Sequence, residues 1–345
     1  MFSIDIVWMI IIPFLVVALL MPIVKRTAVH IGAMDIPNER KVHKKPIPRL
    51  GALGIYIGFL LGYILFGFES VQMNSVLIGS FVVVLLGVVD DIHSIPARYK
   101  FIGQLVAACV VVLYGGILLQ DVSAFGIYIN FGMFSPIVSI IFITAIMNCI
   151  NFIDGLDGLA GGISSIYFLM IGIIAILFHS NGLDMILSFV MLGSTLGFLV
   201  HNFYPASIFM GDSGSLFLGY IIAIISMLGY KNVTFTSLVV PIFLLAIPIM
   251  DTLFAIIRRV LKHESIAMPD KCHLHHQLLR LHFSIPKAVI IIYSIDILFA
   301  IASIIYVTKN RALGYVIYSL LFIIVVIFIF KTDIIRERKK KNRRK

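Results

Sequence analysis

Five aspartates stand at the ends of long apolar runs, in three local motifs. Asp90 and Asp91 belong to VVDDIHS, Asp154 and Asp157 to NFIDGLDGLAGG, and Asp212 to FMGDSGSLFLG. A carboxylate inside a bilayer costs about 2.5–3.5 kcal/mol on insertion scales, so such residues indicate function. Two like charges about 4 Å apart repel by on the order of 4 kcal/mol, so a cluster of acids predicts a bound cation. Acidic oxygen ligands favour Mg²⁺ or Mn²⁺.

Basic residues follow the Asp90-Asp91 pair in a short loop that ends in YKFIGQ. Arg98 and Lys100 lie here, at the membrane level that we expect for the two acids. The alternative is that Asp90 and Asp91 are solvated acids at a helix end, which would not require nearby cations. The loop therefore favours a site in which carboxylates and cations are paired.

Polar residues recur at every third position before the first glycine of NFIDGLDGLAGG. Asn148, Asn151 and Asp154 have this spacing, which places them near one face of a helix. The glycines that follow allow a sharp turn and a close approach of the backbone to a ligand. Together with Asp157, this pattern predicts a binding site rather than a solvated turn.

The segment HNFYPASIFMGDSGSLFLG allows two interpretations of Asp212. Asn202 ends one apolar run, and Pro205 keeps the next residues from forming a helix. Asp, Ser and Gly are ordinary residues for the start of a helix, so Asp212 could be a helix cap. The start of a helix also attracts phosphate, which favours a functional role.

Three histidines, His273, His275 and His276, fall within the motif PDKCHLHHQLLRLH. Their proximity suggests zinc, but no pairing of these histidines with a cysteine or glutamate matches a zinc site. Beside so many carboxylates, the histidines fit phosphate or pyrophosphate binding better, with solvated loop histidines as the alternative. Cys109, Cys149 and Cys272 have no metal-ligand spacing, and we expect them to act as packing residues.

The composition indicates which kind of secondary-structure element positions these residues. The 345 residues are 60% hydrophobic and 13% charged, with a mean hydropathy of +1.07. Apolar runs of about 20 residues, long enough to cross a bilayer, recur along the chain. We therefore predict an all-α polytopic integral membrane protein with eleven transmembrane segments. They cover residues 4–24, 49–68, 73–89, 101–119, 135–152, 163–178, 184–200, 215–230, 237–257, 287–307 and 312–330.

Lysine and arginine predict the orientation. With the N-terminus outside, 24 of the 27 basic residues fall on the cytoplasmic side, as does the C-terminus. All five aspartates then face the cytoplasm. We expect residues 1–331 to form a single transmembrane catalytic domain and 332–345 a basic cytoplasmic tail. Anionic lipid is the expected partner of this tail, because nothing else in the chain resembles a nucleic-acid-binding module.

Five segments, in order on the predicted cytoplasmic loops, resemble the polyprenyl-phosphate N-acetylhexosamine-1-phosphate transferases. They are DIPNERKVHKKPIPRLG at 35–51, DDIHSIPARYKFIGQ at 90–104, NFIDGLDGLAGG at 151–162, PASIFMGDSGSLFLG at 205–219 and DKCHLHHQLL at 270–279. The chain is most similar to the branch that moves GlcNAc-1-phosphate from UDP-GlcNAc to undecaprenyl phosphate. This reaction begins the synthesis of teichoic acid, O-antigen or another cell-envelope glycan.

The resemblance implies a Mg²⁺-dependent enzyme of the bacterial plasma membrane, with its active site on the cytoplasmic face. Asp212 and Asp91 would be metal ligands, and Asp90, Asp91 and Lys100 catalytic residues. The substrate-binding residues would be Asn148, Asn151, Asp154, Asp157, Asn202, His273, His275, His276, Arg40, Lys41, His43 and Arg49. The last four lie on the first inner loop, where they would meet the sugar or the lipid phosphate.

Several alternatives remain open at this level. Asp90 is either a base or a group that orients Lys100 or the metal, because a phosphate monoester with a second pKa of about 6 is already ionised at neutral pH. The donor could also be UDP-GalNAc or UDP-MurNAc-pentapeptide. A secondary transporter could place acids inside a helical bundle too, and a non-catalytic scaffold is a further alternative. The small-residue pattern at Gly58 and Gly62 could pack helices within one chain or between the copies of a homodimer.

Overall fold

The computed structural model describes residues 2–37, 43, 45–232, 238–263 and 273–331. Arg40 and Lys41, which we predict to bind substrate, lie outside the described residues. So do Cys272 and the tail 332–345. The division into one catalytic domain and a tail therefore stays a prediction.

Helices make up most of the described chain. In order they are α1 (Phe2–His30), α2 (Gly51–Phe66), α3 (Val71–Ile92), α4 (Ala97–Cys109), α5 (Ser135–Ile153), α6 (Leu159–Leu177), α7 (Leu183–Asn202), α8 (Gly211–Asn232), α9 (Val239–Leu244), α10 (Ala246–Leu261), α11 (Leu274–Arg280), α12 (Ile285–Thr308) and α13 (Arg311–Lys331). One π-helical stretch, Val110–Tyr114, continues α4.

Among the described residues, nine helical stretches are long and apolar enough to cross a membrane. They confirm the prediction of an all-α polytopic membrane protein and match nine of the eleven predicted segments. The predicted segment at 49–68 is the shorter apolar helix α2. The predicted segment at 237–257 is not one helix, because the chain breaks at Leu245 between α9 and α10.

The helix α8 lies at the centre of the bundle. Of the residues in its stretch Gly211–Leu228, 94% are buried, and the helix packs mainly against α3 and α5. In the most apolar stretches of the outer helices α1 and α13, only 22% of the residues are buried. Apolar side chains elsewhere on the surface, such as Ile64 and Leu113, are more than two-thirds exposed, as is Leu19 of α1. A water-soluble protein rarely exposes so much apolar surface, whereas a lipid environment favours it.

Close approach of α3 to α8 depends on Gly87. A Cβ at this position would lie 2.2 Å from the Cα of Ser213, so no other residue fits without moving the helices apart. Asp90 and Asp91 follow within one turn. The glycine therefore places the aspartate pair against the first residues of α8.

Two short antiparallel hairpins lie at opposite ends of the bundle. Strands β1 (Met34–Asp35) and β2 (Ile47–Pro48) pair at the end where α3 stops and α8 begins. Just beyond β2, Arg49 forms a backbone bridge with Phe209, next to α8. Strands β3 (Asp121–Ala124) and β4 (Ile127–Asn130) connect α4 to α5 at the other end. The first hairpin therefore places the loop after α1, including Arg49, beside the start of α8.

Candidate active site

A cleft of about 1010 Å³ opens at the end of the bundle where α3 and α5 stop and α8 begins. This volume suits a large organic ligand. Eight of the residues that we predict to form the site line it: His43, Arg49, Asn151, Asp154, Asp157, Asn202, Asp212 and His276. Asp90, Asp91 and Lys100 do not line the cleft itself and contact it through Asp212 and Arg49.

Three carboxylates meet at the inner wall of the cleft. Asp90, Asp91 and Asp212 each have one ligand oxygen within 4.8 Å of the others. Asp90 and Asp91 are buried, whereas the side chain of Asp212 is 27% exposed. An all-oxygen donor set of this kind fits a hard divalent cation such as Mg²⁺, with Asp212 on the side that a ligand can reach.

Lys100 bridges two of these acids. Its Nζ lies 2.6 Å from Asp90 Oδ2 and 2.7 Å from Asp212 Oδ2. The other oxygen of Asp90 accepts a hydrogen bond from the backbone N–H of Ile95 at 2.9 Å. Both oxygens of Asp90 are therefore engaged, which orients Lys100 towards the cleft wall.

Asp91 holds the start of α8. Its Oδ1 accepts from the backbone N–H of Asp212, and its Oδ2 accepts from the N–H and the hydroxyl of Ser213. The first N–H groups of a helix have no partner within the helix, so this carboxylate caps α8 from the end of α3. The capping role that we considered for Asp212 thus belongs to Asp91. The Asp212 carboxylate contacts Lys100 and Arg49 instead.

Arg49 is the second cation of the site. Its guanidinium lies 3.2 Å from Asp91, 3.4 Å from Asp212 and 3.3 Å from Asp35. Burial lowers the pKa of Arg49, but Asp91, Asp212 and Asp35 outweigh burial and raise it. The guanidinium therefore stays charged and offsets the repulsion between the carboxylates.

Asp35 is a further member of the site that was not among the predicted site residues, although it begins the motif at 35–51. Its carboxylate contacts Arg49, and its Oδ2 lies 2.7 Å from His43 Nε2. The ring of His43 also packs edge-on against Phe209. The sequence does show an acid in the same short loop as an Arg and a His. The contacts of Asp35 with these two residues, however, depend on the β1–β2 hairpin, which brings the two ends of the loop together.

Asp154 stands at the C-terminal end of α5, half-buried in the cleft. Its carboxylate makes no hydrogen bond or ion pair with any residue that the structure describes. Burial first and then Asp212 raise the pKa of Asp154 to about 7, although Arg49 opposes the shift. This carboxyl is therefore poised to change its charge near neutral pH.

Asn151, Asp157 and Asn202 tie the NFIDGLDG segment to its neighbours. Asn151 donates to Ser215 Oγ at 2.8 Å, and Asp157 accepts from the N–H of Ala206 at 2.9 Å. Asn202 accepts from the N–H of Gly158 at 3.0 Å and donates to a backbone carbonyl at 2.9 Å. These side chains shape the cleft as well as line it.

Asn148 does not line the cleft. Its Nδ2 donates to Gln104 Oε1 and to the carbonyl of Thr144, each at 2.7 Å. The regular spacing with Asn151 places it one turn further inside the bundle. It joins α4 to α5 there, so the structure separates it from the other predicted substrate-binding residues.

The three histidines lie at the start of α11 and have different environments. His276 lines the cleft. His273 is buried, with Nδ1 2.8 Å from Asp251 Oδ2. His275 is buried against Gly155, and burial, with His276 and His273 nearby, holds its pKa well below the usual value. Of the three, only His276 lines the cleft.

Carboxylates paired with Lys and Arg, in a cleft at the end of a membrane bundle, define a site suited to phosphorylated ligands. Residues 73–230 match the family described as Glycosyl transferase family 4. The chain is 42% identical, over 337 residues, to a Bacillus subtilis protein named probable undecaprenyl-phosphate N-acetylglucosaminyl 1-phosphate transferase. That match covers 96% of this chain and 93% of the relative.

Two further relatives are similar over most of their length. A Mycolicibacterium smegmatis decaprenyl-phosphate N-acetylglucosaminephosphotransferase is 34% identical over 78% of this chain and 74% of its own. A Salmonella typhi undecaprenyl-phosphate alpha-N-acetylglucosaminyl 1-phosphate transferase is 29% identical over 81% of this chain and 78% of its own. The chain belongs to glycosyl transferase family 4, the polyprenyl-phosphate sugar-1-phosphate transferases, which confirms the family resemblance of its motifs.

Proposed function

We propose that this protein transfers GlcNAc-1-phosphate from UDP-GlcNAc to undecaprenyl phosphate, forming undecaprenyl-diphosphate-GlcNAc and releasing UMP. The observation that carries the proposal is the cluster of Asp90, Asp91 and Asp212, with ligand oxygens within 4.8 Å, beside Lys100 and Arg49. The names of the relatives in Bacillus subtilis and Salmonella typhi give the acceptor and the transferred group.

The reaction exchanges one phosphoanhydride for another. An oxygen of the lipid phosphate attacks the β-phosphorus of the donor, and the bond from that phosphorus to the bridging oxygen breaks. The bridging oxygen leaves with UMP. Because phosphoryl transfer depends mostly on positioning and charge neutralisation, the cations and carboxylates of the cleft are the groups that it requires.

Asp212, Asp91 and Asp90 would hold Mg²⁺, for which Mn²⁺ could substitute. A bound divalent cation would neutralise the diphosphate and stabilise the charge on the departing UMP. Lys100 and Arg49 contact the same carboxylates and add positive charge beside the reacting phosphates.

The residues that line the cleft come from two parts of the chain, which we assign to the two substrates. Asn151, Asp154 and Asp157 lie on the side of α5 and α6, and with His276 they would hold the nucleotide sugar. His43, Lys45 and Arg49 belong to the loop after α1, and Lys25 belongs to α1 itself. These basic residues would meet the lipid phosphate as it enters from the membrane surface.

The active site faces the cytoplasm in this proposal, because the positive-inside pattern puts the loops that form the cleft on that side. The product would be the first lipid-linked intermediate of teichoic acid or another envelope glycan. A transporter would need its binding site near the middle of the membrane. The cleft residues lie at helix ends instead, which favours the transferase.

A donor panel tests this proposal. Purified protein with undecaprenyl phosphate and Mg²⁺ should release UMP from UDP-GlcNAc, and labelled UMP should exchange into UDP-GlcNAc. UDP-GalNAc and UDP-MurNAc-pentapeptide are the comparison donors. Faster turnover of either one would change the assigned donor, and the absence of exchange with all three would exclude the transferase.

A further inference from the structure

Asp251 is a buried acid inside α10 that no motif of the sequence analysis includes. It is 5% exposed and does not line the cleft. Its Oδ2 accepts from His273 Nδ1 at 2.8 Å, and its Oδ1 accepts from the backbone N–H of Leu274 at 2.8 Å. One carboxylate therefore binds both the side chain and the main chain at the start of α11.

The helix α11 depends on such an outside contact. It has seven residues, and isolated helices of that length are unstable in water. His273 precedes its first turn and makes no side-chain cap bond to it. Asp251 supplies the missing acceptor for the first N–H group from a different helix.

A second contact holds α11 one residue further on. His275 is 2% exposed, and a Cβ at Gly155 would lie 2.3 Å from its Nε2. The ring therefore packs directly on the backbone of the NFIDGLDG segment. With the start of α11 bound to Asp251 and His275 pressed on Gly155, the next residue, His276, faces the cleft.

We propose that Asp251 is a positioning residue for the donor site: it holds α11 so that His276 meets the pyrophosphate of the nucleotide sugar. This inference rests on the proposed function. Asp251 touches neither substrate and acts through His273 and Leu274. The carboxylate also fixes the proton of His273 on Nδ1, as acids behind functional histidines commonly do.

The test is a double-mutant cycle between Asp251 and His276 in the full-length protein. Asp251→Ala removes both hydrogen bonds, and loss of such a charge-assisted contact should raise the KM for UDP-GlcNAc by about tenfold or more. The KM for undecaprenyl phosphate should not change. In the His276→Ala background, Asp251→Ala should have little further effect, because both substitutions remove the same contact.

Asp296→Asn is the matched control, since Asp296 is a fully buried aspartate on α12 whose oxygens accept no hydrogen bond from the residues that the structure describes. It should leave both KM values unchanged. Asp251→Asn keeps an acceptor for the Leu274 N–H and should lie between wild type and Asp251→Ala. Multiplicative effects in the cycle, equal changes in both KM values, or an equal defect in Asp296→Asn would overturn the proposal.

A second measurement does not depend on turnover. A cysteine at position 276 should react faster with a water-soluble maleimide when Asp251 is replaced by alanine, because α11 loses its anchor. Equal reaction rates would show that α11 does not need Asp251. If wild-type protein fails to release UMP from UDP-GlcNAc, the proposed function is wrong, and this labelling result still decides whether Asp251 positions α11.

Discussion

Lys100 Nζ lies 2.7 Å from Asp212 Oδ2, although the two residues are 112 positions apart in the chain. The same Nζ contacts Asp90, whose other oxygen is bound to the N–H of Ile95. The lysine therefore joins the end of α3 to the start of α8. Because each oxygen of Asp90 already accepts one contact, the geometry favours an orienting role for Asp90 over that of a base.

Asp90→Asn tests that role through its pH profile. The acceptor phosphate, with a second pKa of about 6, is already ionised above pH 7 and does not need a base. We expect kcat to fall by about tenfold or more, from loss of the ion pair to Lys100, and to stay low from pH 7 to about 9. Recovery of kcat at high pH with unchanged Mg²⁺ affinity would instead show that Asp90 is a base.

Asp212 and Asp91 should respond differently to substitution. Asp212→Asn removes a charge that faces the cleft, so activity should fall by about 100-fold or more while thermal stability is retained. Asp91→Ala leaves the Ser213 hydroxyl and the first N–H groups of α8 without their acceptor. It should lower the free energy of unfolding by about 1–3 kcal/mol as well as activity. Equal stability losses in both variants would contradict the capping role of Asp91.

Metal removal provides a further prediction. Activity should disappear in EDTA and return with Mg²⁺ or Mn²⁺, whereas Ca²⁺, which is larger and less strict in geometry, should restore little. Mg²⁺ should also raise the Tm of the wild-type protein, because a ligand that binds the folded state stabilises it. Asp212→Asn should lose this Tm shift. Full turnover in excess chelator would remove the cation from the reaction.

Asp154 predicts a pH dependence of stability in metal-free protein. Its pKa is raised to about 7 in the folded protein, against about 3.9 in an unfolded chain. Between these values the folded state binds more protons, so this residue's contribution is full below about pH 4 and is lost as the pH rises through 7. From pH 5 to 8 we expect a loss on the order of 1–2 kcal/mol, after a discount for solvent screening of the half-buried group.

Asp154→Asn is the control for that measurement. Its uncharged amide cannot ionise, so its Tm should fall less than that of wild type over the same pH range. The comparison cancels the other titrating groups, because both proteins carry them. Parallel Tm curves for the two proteins would show that Asp154 does not titrate in this range.

Orientation in the membrane can be tested with single cysteines in a background without the three native ones. Lys45, beside the cleft, and Lys309, between α12 and α13, are both exposed. A cysteine at 45 should react with an impermeant maleimide only from the cytoplasmic side, and a cysteine at 309 only from outside. Labelling of position 45 in intact cells would reverse the predicted topology.

The sequence by itself determined the class of protein. Crossing a bilayer needs about 20 apolar residues, and this requirement leaves a pattern that needs no tertiary contact to detect. Among the described residues, ten of the eleven predicted segments correspond to single helices, and the eleventh is broken at Leu245. The acids at the ends of those helices could also be identified as functional candidates from the sequence, because a carboxylate within or beside a membrane segment is energetically costly.

Tertiary structure decided what each polar residue does. Asp91 accepts from the N–H of Asp212, 121 positions later, Asn148 pairs with Gln104, and Asp251 holds His273. Residue types and spacing do not reveal these pairs, because the two members of each pair are far apart in the sequence. Helix packing, such as that of Gly87 against Ser213, brings them together. Asp251 sat in an apolar run like the other aspartates, but only the position of α11 beside it revealed its contacts.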